Sequence, residues 1–270
     1  MADTDDVFTE ALQLTGTDSP HRVTGHTHPA WANMVGPFGG ITAAVLLRAI
    51  EQHPDRLGDP LALTVNYLAP IADGPYQLSL NPVRTNRTNQ HWIVELSQAG
   101  EPKTTATAIF GSHRDTWGDT EAGPPPAPAP ETIERRRTEF PTWLSRYDMR
   151  MVAGELPEVE GQQAASSTST LWVRDAAGRA LDYAGLAALS DIFYPRIYLR
   201  TGRLIPAGTI TLTTYFHAGG AELAAVGGDF LLATAAARRF SRGFFDQTAT
   251  LWSRDGVLLA TSDQLVYFKG

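Results

Sequence analysis

The sequence predicts an α+β chain of two like halves, each a long antiparallel sheet wrapped around one helix. Three observations carry this. A helix followed by four strands is written twice along the 270 residues. In both copies the helix is apolar on nearly every side, not on one stripe, which calls for burial all round. One proline-rich segment separates the copies.

In the first copy Gly39–Ile50 (GGITAAVLLRAI) reads as the helix. Leu61–Pro70 follows as a strand that Pro70 ends, then Tyr76–Arg84, His91–Gln98 and Lys103–Phe110, with Ala99-Gly100-Glu101 as a turn. In the second copy Leu181–Ile192 is the helix, and the strands are Thr209–Ala218, Asp229–Arg238, Phe244–Ser253 and Val257–Phe268, with Arg254-Asp255-Gly256 as the turn. Leu63-Thr64 with Tyr67 matches Leu212-Thr213 with Tyr215-Phe216. An early strand near His21–Thr27, and another near Trp143–Val152, would give five strands per sheet. That arrangement is the hot-dog fold in tandem, a double hot-dog, and the internal repeat is its main signal. A single copy would leave a long unpaired strand edge, which pairing the copies edge to edge removes.

Between the copies lies Gly123–Pro130, in which five of eight residues are proline. Such a stretch favours extended polyproline geometry. It sets the expected division: an N-terminal domain over 1–115, a linker over 116–139 that includes the charged Glu131–Arg137, and a C-terminal domain over 140–270.

Composition narrows the function classes. The net charge is −7, which argues against nucleic acid and anionic membranes as partners. Charged residues are 19%, below the roughly 25% of average domains, so part of the surface is expected to be covered. With no cysteine, disulfides, thiolate metal sites and cysteine nucleophiles are excluded. The acidic Met1–Glu10 lacks the pattern of a signal peptide, and no apolar run approaches a membrane span, so a cytoplasmic location is expected.

No GxSxG, HExxH, Walker A or GxGxxG motif is present. His26 and His28 have no acidic or thiol partner spaced to complete a metal site and read as polar residues near a strand end, so neither metal nor cofactor is expected. The informative feature is an asymmetry. The C-terminal helix carries Asp191 where Ala43–Leu47 of the N-terminal helix is apolar. Aligning the turns at Ala99-Gly100 and Asp255-Gly256 puts Ala108 opposite Gln264. A buried carboxylate and amide cost several kcal/mol unless they bond each other or a water, which is what a hydrolytic site requires. On the strand after them in space, the two-residue period puts Thr209, Thr211 and Thr213 on one face.

These residues carry a resemblance. Pro37-Phe-Gly-Gly40, Tyr67-Leu-Ala-Pro70, Leu189-Ser-Asp191, Thr209 with Tyr215-Phe-His217, and Arg254-Asp-Gly256 followed by Gln264, in this order, make the chain similar to the acyl-CoA thioesterase II family, in particular its actinobacterial thioesterase-like branch. The resemblance implies acyl-CoA hydrolysis with Asp191, Thr209 and Gln264 jointly holding and activating a water. Backbone N–H groups near Gly39 and Gly40 suit the developing oxyanion. Trp31, Phe38, Phe193 and Tyr194 are candidate walls of an acyl site, and Arg238, Arg239 and Arg242 candidate contacts of the CoA phosphates. The expected partners are acyl-CoA and, by analogy of fold, further copies of the chain. Two alternatives stay open: a non-catalytic acyl-CoA or lipid binder, and an enoyl-CoA hydratase on the same fold.

Overall fold

The computed structural model describes residues 6–135, 140–156 and 159–269. The N-terminal half contains α1 (Val7–Ala11), β1 (Thr15–Gly16), β2 (Arg22–His26), α2 (Gly39–Glu51), β3 (Asp59–Tyr67), β4 (Pro75–Thr85), β5 (Asn89–Gln98) and β6 (Glu101–Gly111). The C-terminal half contains β7 (Tyr147–Ala153), β8 (Ser169–Asp175), α3 (Tyr183–Leu189), α4 (Ile197–Thr201), β9 (Ala207–Phe216), α5 (Gly220–Val226), β10 (Leu231–Ala236), β11 (Phe240–Ser241), β12 (Phe244–Ser253) and β13 (Leu258–Phe268). The strands form one continuous sheet in the order β1-β2-β4-β5-β6-β3-β9-β13-β12-β10-β8-β7, with β11 attached to β12.

The halves meet where β3 pairs antiparallel with β9. Thr64 lies opposite Thr213, and their hydroxyls are 3.0 Å apart. Leu63 pairs with Thr214 and Val65 with Leu212, so a pseudo-twofold axis passes through the two threonines. The edge that each half would expose is thereby filled.

Both helices lie on the inner face of this sheet. Gly40–Leu47, Ala49 and Ile50 of α2 are buried, as is every residue of α3, which is why neither helix has a polar stripe. They run antiparallel. Arg48 near the end of α2 meets Asp182, the N-cap of α3, at 2.6 Å. At the other end, Gly39 and Gly40 abut Ala188 and Asp191. Among the described residues no helix is long and apolar enough to cross a membrane.

The double hot-dog architecture is as the sequence predicts, with one correction to the strand count. The early strand of the second half is β8, not β7. As β2 pairs with β4, so β8 pairs with β10, and β7 is an addition outside it. Ser169–Val173 is buried on both faces, so β8 lacks the alternation that marks a half-exposed strand. Its inner side chains Leu171 and Val173 join the main core, while Trp172 points outward.

That outward face explains what the proline-rich segment does. Ala127 and Ile133 pack on an outer cluster of Trp172, Phe230, Leu232 and Trp252. Trp172 Nε1 donates to the Pro128 carbonyl at 2.8 Å, and Glu131 accepts two hydrogen bonds from Arg254 at 2.7 and 2.9 Å. The connection is a strap docked on the sheet. The end of the expected charged run Glu131–Arg137 falls within residues 136–139, which lie outside the described residues.

Candidate active site

Asp191, Gln264 and Thr209 come from three separate segments and meet at the junction of the halves. Gln264 Nε2 donates to Asp191 Oδ1 at 3.0 Å, and Thr209 Oγ1 donates to Gln264 Oε1 at 3.0 Å. Each position has a local cause. Asp191 follows the end of α3, where Ser190 N–H still bonds the Leu186 carbonyl and Ser262 Oγ donates to the Ser190 carbonyl at 3.2 Å. Gln264 is two residues along β13 from Ser262 and shares its inward face.

Thr209 reaches the site by a β-bulge. The β9–β13 register shifts between Leu265 and Val266, so Thr211 pairs with Leu265 but Thr209 with Val266, and Ile210 is the extra residue. Thr211 and Thr213 therefore face outward, beside Leu265 and Asp263, while Thr209 turns inward. This corrects the expectation that the three threonines share a face. A strict two-residue period cannot see a bulge, and bulges commonly re-aim a side chain beside a site.

The third wall is the start of α2. A Cβ added at Gly39 would lie 2.5 Å from Asp191 Oδ2 and 3.2 Å from the Tyr67 hydroxyl, so only glycine lets the helix start approach the carboxylate. The Gly40 N–H faces the Asp191 carboxylate and favours its charged form. Tyr67, which sequence reasoning used as a family marker but not as a site residue, donates its hydroxyl to the Gly39 carbonyl at 2.8 Å. Gly39, Tyr67, Asp191 and Thr209 are each half-buried.

Protein packed around its carboxyl pushes the Asp191 pKa up to about 7, against the opposing influence of the Gln264 hydrogen bond and the Gly40 N–H. Burial, with the nearby Asp191 charge, also raises the Tyr67 phenol well above its ordinary value, so it stays a neutral donor.

The remaining candidates are spread more widely. Phe38 is buried and stacks on Trp143 with centroids 4.0 Å apart. Trp31 packs edge-on to Phe8 and Tyr147. Phe193 is buried in the main core. Tyr194 sits in a separate cluster with Ile197 and Phe245; its hydroxyl bonds Ser169 and the Gly154 carbonyl, and its ring lies over Arg196. Arg238 is exposed and lies 3.7 and 3.9 Å from Asp246 and Asp263, while Arg242 adopts φ 55° next to Gly243 in the tight turn joining β11 to β12. His26 bonds the Thr27 carbonyl, and His28 lies 3.3 Å from Glu10. Among the described residues no group of three or more acidic or histidine side chains is arranged to hold a metal ion.

The pseudo-twofold axis shows what stands at the mirror position. Leu63 pairs with Ala108 as Leu212 pairs with Gln264, which sets Ala108 opposite Gln264. The bulge recurs between Pro60 and Ala62, which sets Pro60 opposite Thr209. Aligning the N-caps Phe38 and Asp182 sets Leu47 opposite Asp191. All three polar positions are apolar in the N-terminal half.

Fold and site together define a double hot-dog protein with a polar, half-buried centre built mainly from its second half. Residues 120–268 match the acyl-CoA thioesterase C-terminal domain and residues 27–111 the acyl-CoA thioesterase N-terminal domain, and the chain belongs to this family, with the tandem architecture of the acyl-CoA thioesterase II type. Among solved structures, a conserved hot-dog protein of unknown function from Alicyclobacillus acidocaldarius is 44% identical, with TM-score 0.91 over 97% of this chain and 98% of that one. An acyl-CoA thioesterase II from Mycobacterium marinum (18% identity, TM-score 0.75) and a tesB protein from Mycobacterium avium subspecies paratuberculosis (19%, 0.80) share the fold, each over 97% of this chain and 98% of theirs. No functionally curated protein matches the sequence.

Proposed function

We propose that the protein hydrolyses acyl-CoA thioesters at the Asp191–Gln264–Thr209 centre. The observation that carries this reading is the unbroken chain Thr209 to Gln264 to Asp191, ending in a carboxylate with a pKa of about 7 beside the start of α2. A base poised near neutrality suits proton abstraction from water.

In this reading a water lies against Asp191 and Thr209. Asp191 takes its proton as the oxygen attacks the thioester carbon. Both polar atoms of the Gln264 amide are already engaged, which holds the carboxylate in one orientation and lowers the entropic cost of attack. The negative charge that develops on the carbonyl oxygen faces the positive end of α2, where N–H groups of the first turn lack helical partners. The C–S bond then breaks, and the proton held by Asp191 returns to the departing CoA sulfur. Acid and CoA are the products, with no cofactor needed.

The experiment is free-thiol release from a panel of acyl-CoAs, with wild type beside Asp191→Asn. The variant is expected to lose roughly 10²–10⁴-fold in kcat while keeping its fold, the range typical of removing a general base. Comparable rates would remove Asp191 from the chemistry. Binding without thiol release by the wild type would favour a carrier, and loss of an enoyl chromophore without thiol release a hydratase.

A further inference from the structure

The start of α2 carries a hydrogen bond that helix formation does not require. The unmet groups of a helix start are N–H donors, and capping side chains supply acceptors to them. The N-cap of α2, Phe38, makes no such side-chain bond. Tyr67 does the opposite of capping: its hydroxyl donates, at 2.8 Å, to the Gly39 carbonyl. A first-turn carbonyl already has an ordinary partner in the N–H four residues on, so the phenol bond is an addition to the helix.

The mirrored helix start forms without it. Tyr67 stands four residues along β3 from Leu63, and four along β9 from Leu212 stands Phe216, the same ring without the hydroxyl. Counted from the N-caps, Tyr183 takes the place of Gly39, and its ring meets that of Phe216 edge-on with centroids 6.0 Å apart. Hydroxyl and glycine occur together at the end that holds Asp191 and not at its mirror.

One peptide unit links them. The Gly39 carbonyl and the Gly40 N–H belong to the same planar trans peptide and point in opposite directions. One end receives the Tyr67 hydroxyl, and the other faces the Asp191 carboxylate. Close approach requires glycine on both sides of this peptide. A Cβ on Gly39 would lie 2.5 Å from Asp191 Oδ2, and one on Gly40 would lie 2.4 Å from the Ala188 carbonyl oxygen. Two glycines also leave the peptide free to turn its N–H away from the carboxylate.

We propose that Tyr67 is a positioning residue: its hydroxyl pins the Gly39–Gly40 peptide and so keeps the Gly40 N–H directed at the Asp191 carboxylate. This rests on the thioesterase reading and deepens it. Gln264 bonds Oδ1 of the same carboxylate, and the phenols of Tyr67 and Tyr147 sense its charge; burial raises both phenols, so they stay neutral. The Gly40 N–H favours the charged form of Asp191. With the pin removed, that support weakens, the acid form gains, and Asp191 ionises at higher pH.

The test uses Tyr67→Phe, Asp191→Asn and the double variant. Phe216 at the mirrored place shows that the scaffold accepts phenylalanine, so Tyr67→Phe is expected to fold. Its kcat for thiol release should fall about three- to tenfold with KM within about twofold of wild type, the size of one weakened hydrogen bond. The half-maximum of its kcat/KM profile should move up from about 7 by about half to one pH unit. In the Asp191→Asn background the same substitution should change the residual rate by less than about twofold, because the group being positioned is gone. A second readout needs no turnover: the infrared band of the protonated Asp191 carboxyl, identified by its loss in Asp191→Asn, is titrated in wild type and Tyr67→Phe, and the same upward shift is expected. An unchanged infrared midpoint, or an equal rate loss in the two backgrounds, overturns the proposal. An infrared shift in a protein that releases no thiol keeps the positioning role and removes the thioesterase reading. Thiol release that needs Asp191 but ignores Tyr67→Phe does the reverse.

Discussion

The two halves share one scaffold and differ in what it carries at the site. Around the Thr64–Thr213 axis the strands and the bulge correspond in register and the helices correspond from their N-caps, yet Asp191, Gln264 and Thr209 stand opposite Leu47, Ala108 and Pro60. The fold is indifferent to this exchange, because both sets point into the same inner layer. The energetics are not. Apolar side chains at these positions stabilise by burial, whereas a carboxylate there raises its own pKa and lowers stability at neutral pH. Retaining the polar set in one half only, with each member bonded to the next, is how the chain tolerates it.

The comparison is broken most severely by copying one polar group without the others. Leu47→Asp places a carboxyl opposite Ala108 and Pro60, neither of which offers a side-chain hydrogen bond. The expected loss is about 3 kcal/mol or more at pH 8, with no added thioesterase activity. Urea unfolding followed by fluorescence measures it, and a loss below that of an ordinary surface substitution would show that the mirror position is not a closed apolar site.

A smaller effect sharpens the same contrast. The folded pKa of Asp191, about 7, lies above the ordinary aspartate value of 3.8. Between those values the folded state holds a proton that the unfolded chain has released, so stability falls as pH rises from about 4 to 7 and is level above. Asp191→Asn cannot ionise. Its stability relative to wild type should therefore improve from pH 5 to pH 8 by roughly 2 kcal/mol, after allowing for the partial opening to solvent. Melting curves at the two pH values check it; a difference of the same size at both would mean that the carboxylate is effectively solvated.

Much of this comparison is legible in the sequence, because the repeat and its exceptions are local patterns. The apolar helices, the turn at Ala99-Gly100 and the polar interruptions at Asp191 and Gln264 all stand out against a periodic background. What escapes is whatever depends on register or on a third segment. Thr209 shares its strand with Thr211 and Thr213, and only the Ile210 bulge separates their faces. β8 looks like an undifferentiated apolar run, since its outer face is closed by the proline-rich strap some forty residues earlier, through contacts such as Trp172 to Pro128. Tyr67 and Tyr76 are ordinary strand aromatics until the structure sets one against Gly39 and leaves the other without a partner.

The claim at the centre of this account is that Asp191 is the base, and the pH dependence of kcat/KM for thiol release tests it most directly. The predicted profile rises tenfold per pH unit on the acid side, reaches half its maximum near pH 7 and then levels, following deprotonation of Asp191. In Asp191→Asn the residual rate should lose that inflection. An inflection retained by the variant, or a wild-type rate that is flat from pH 5 to pH 8, would contradict the account.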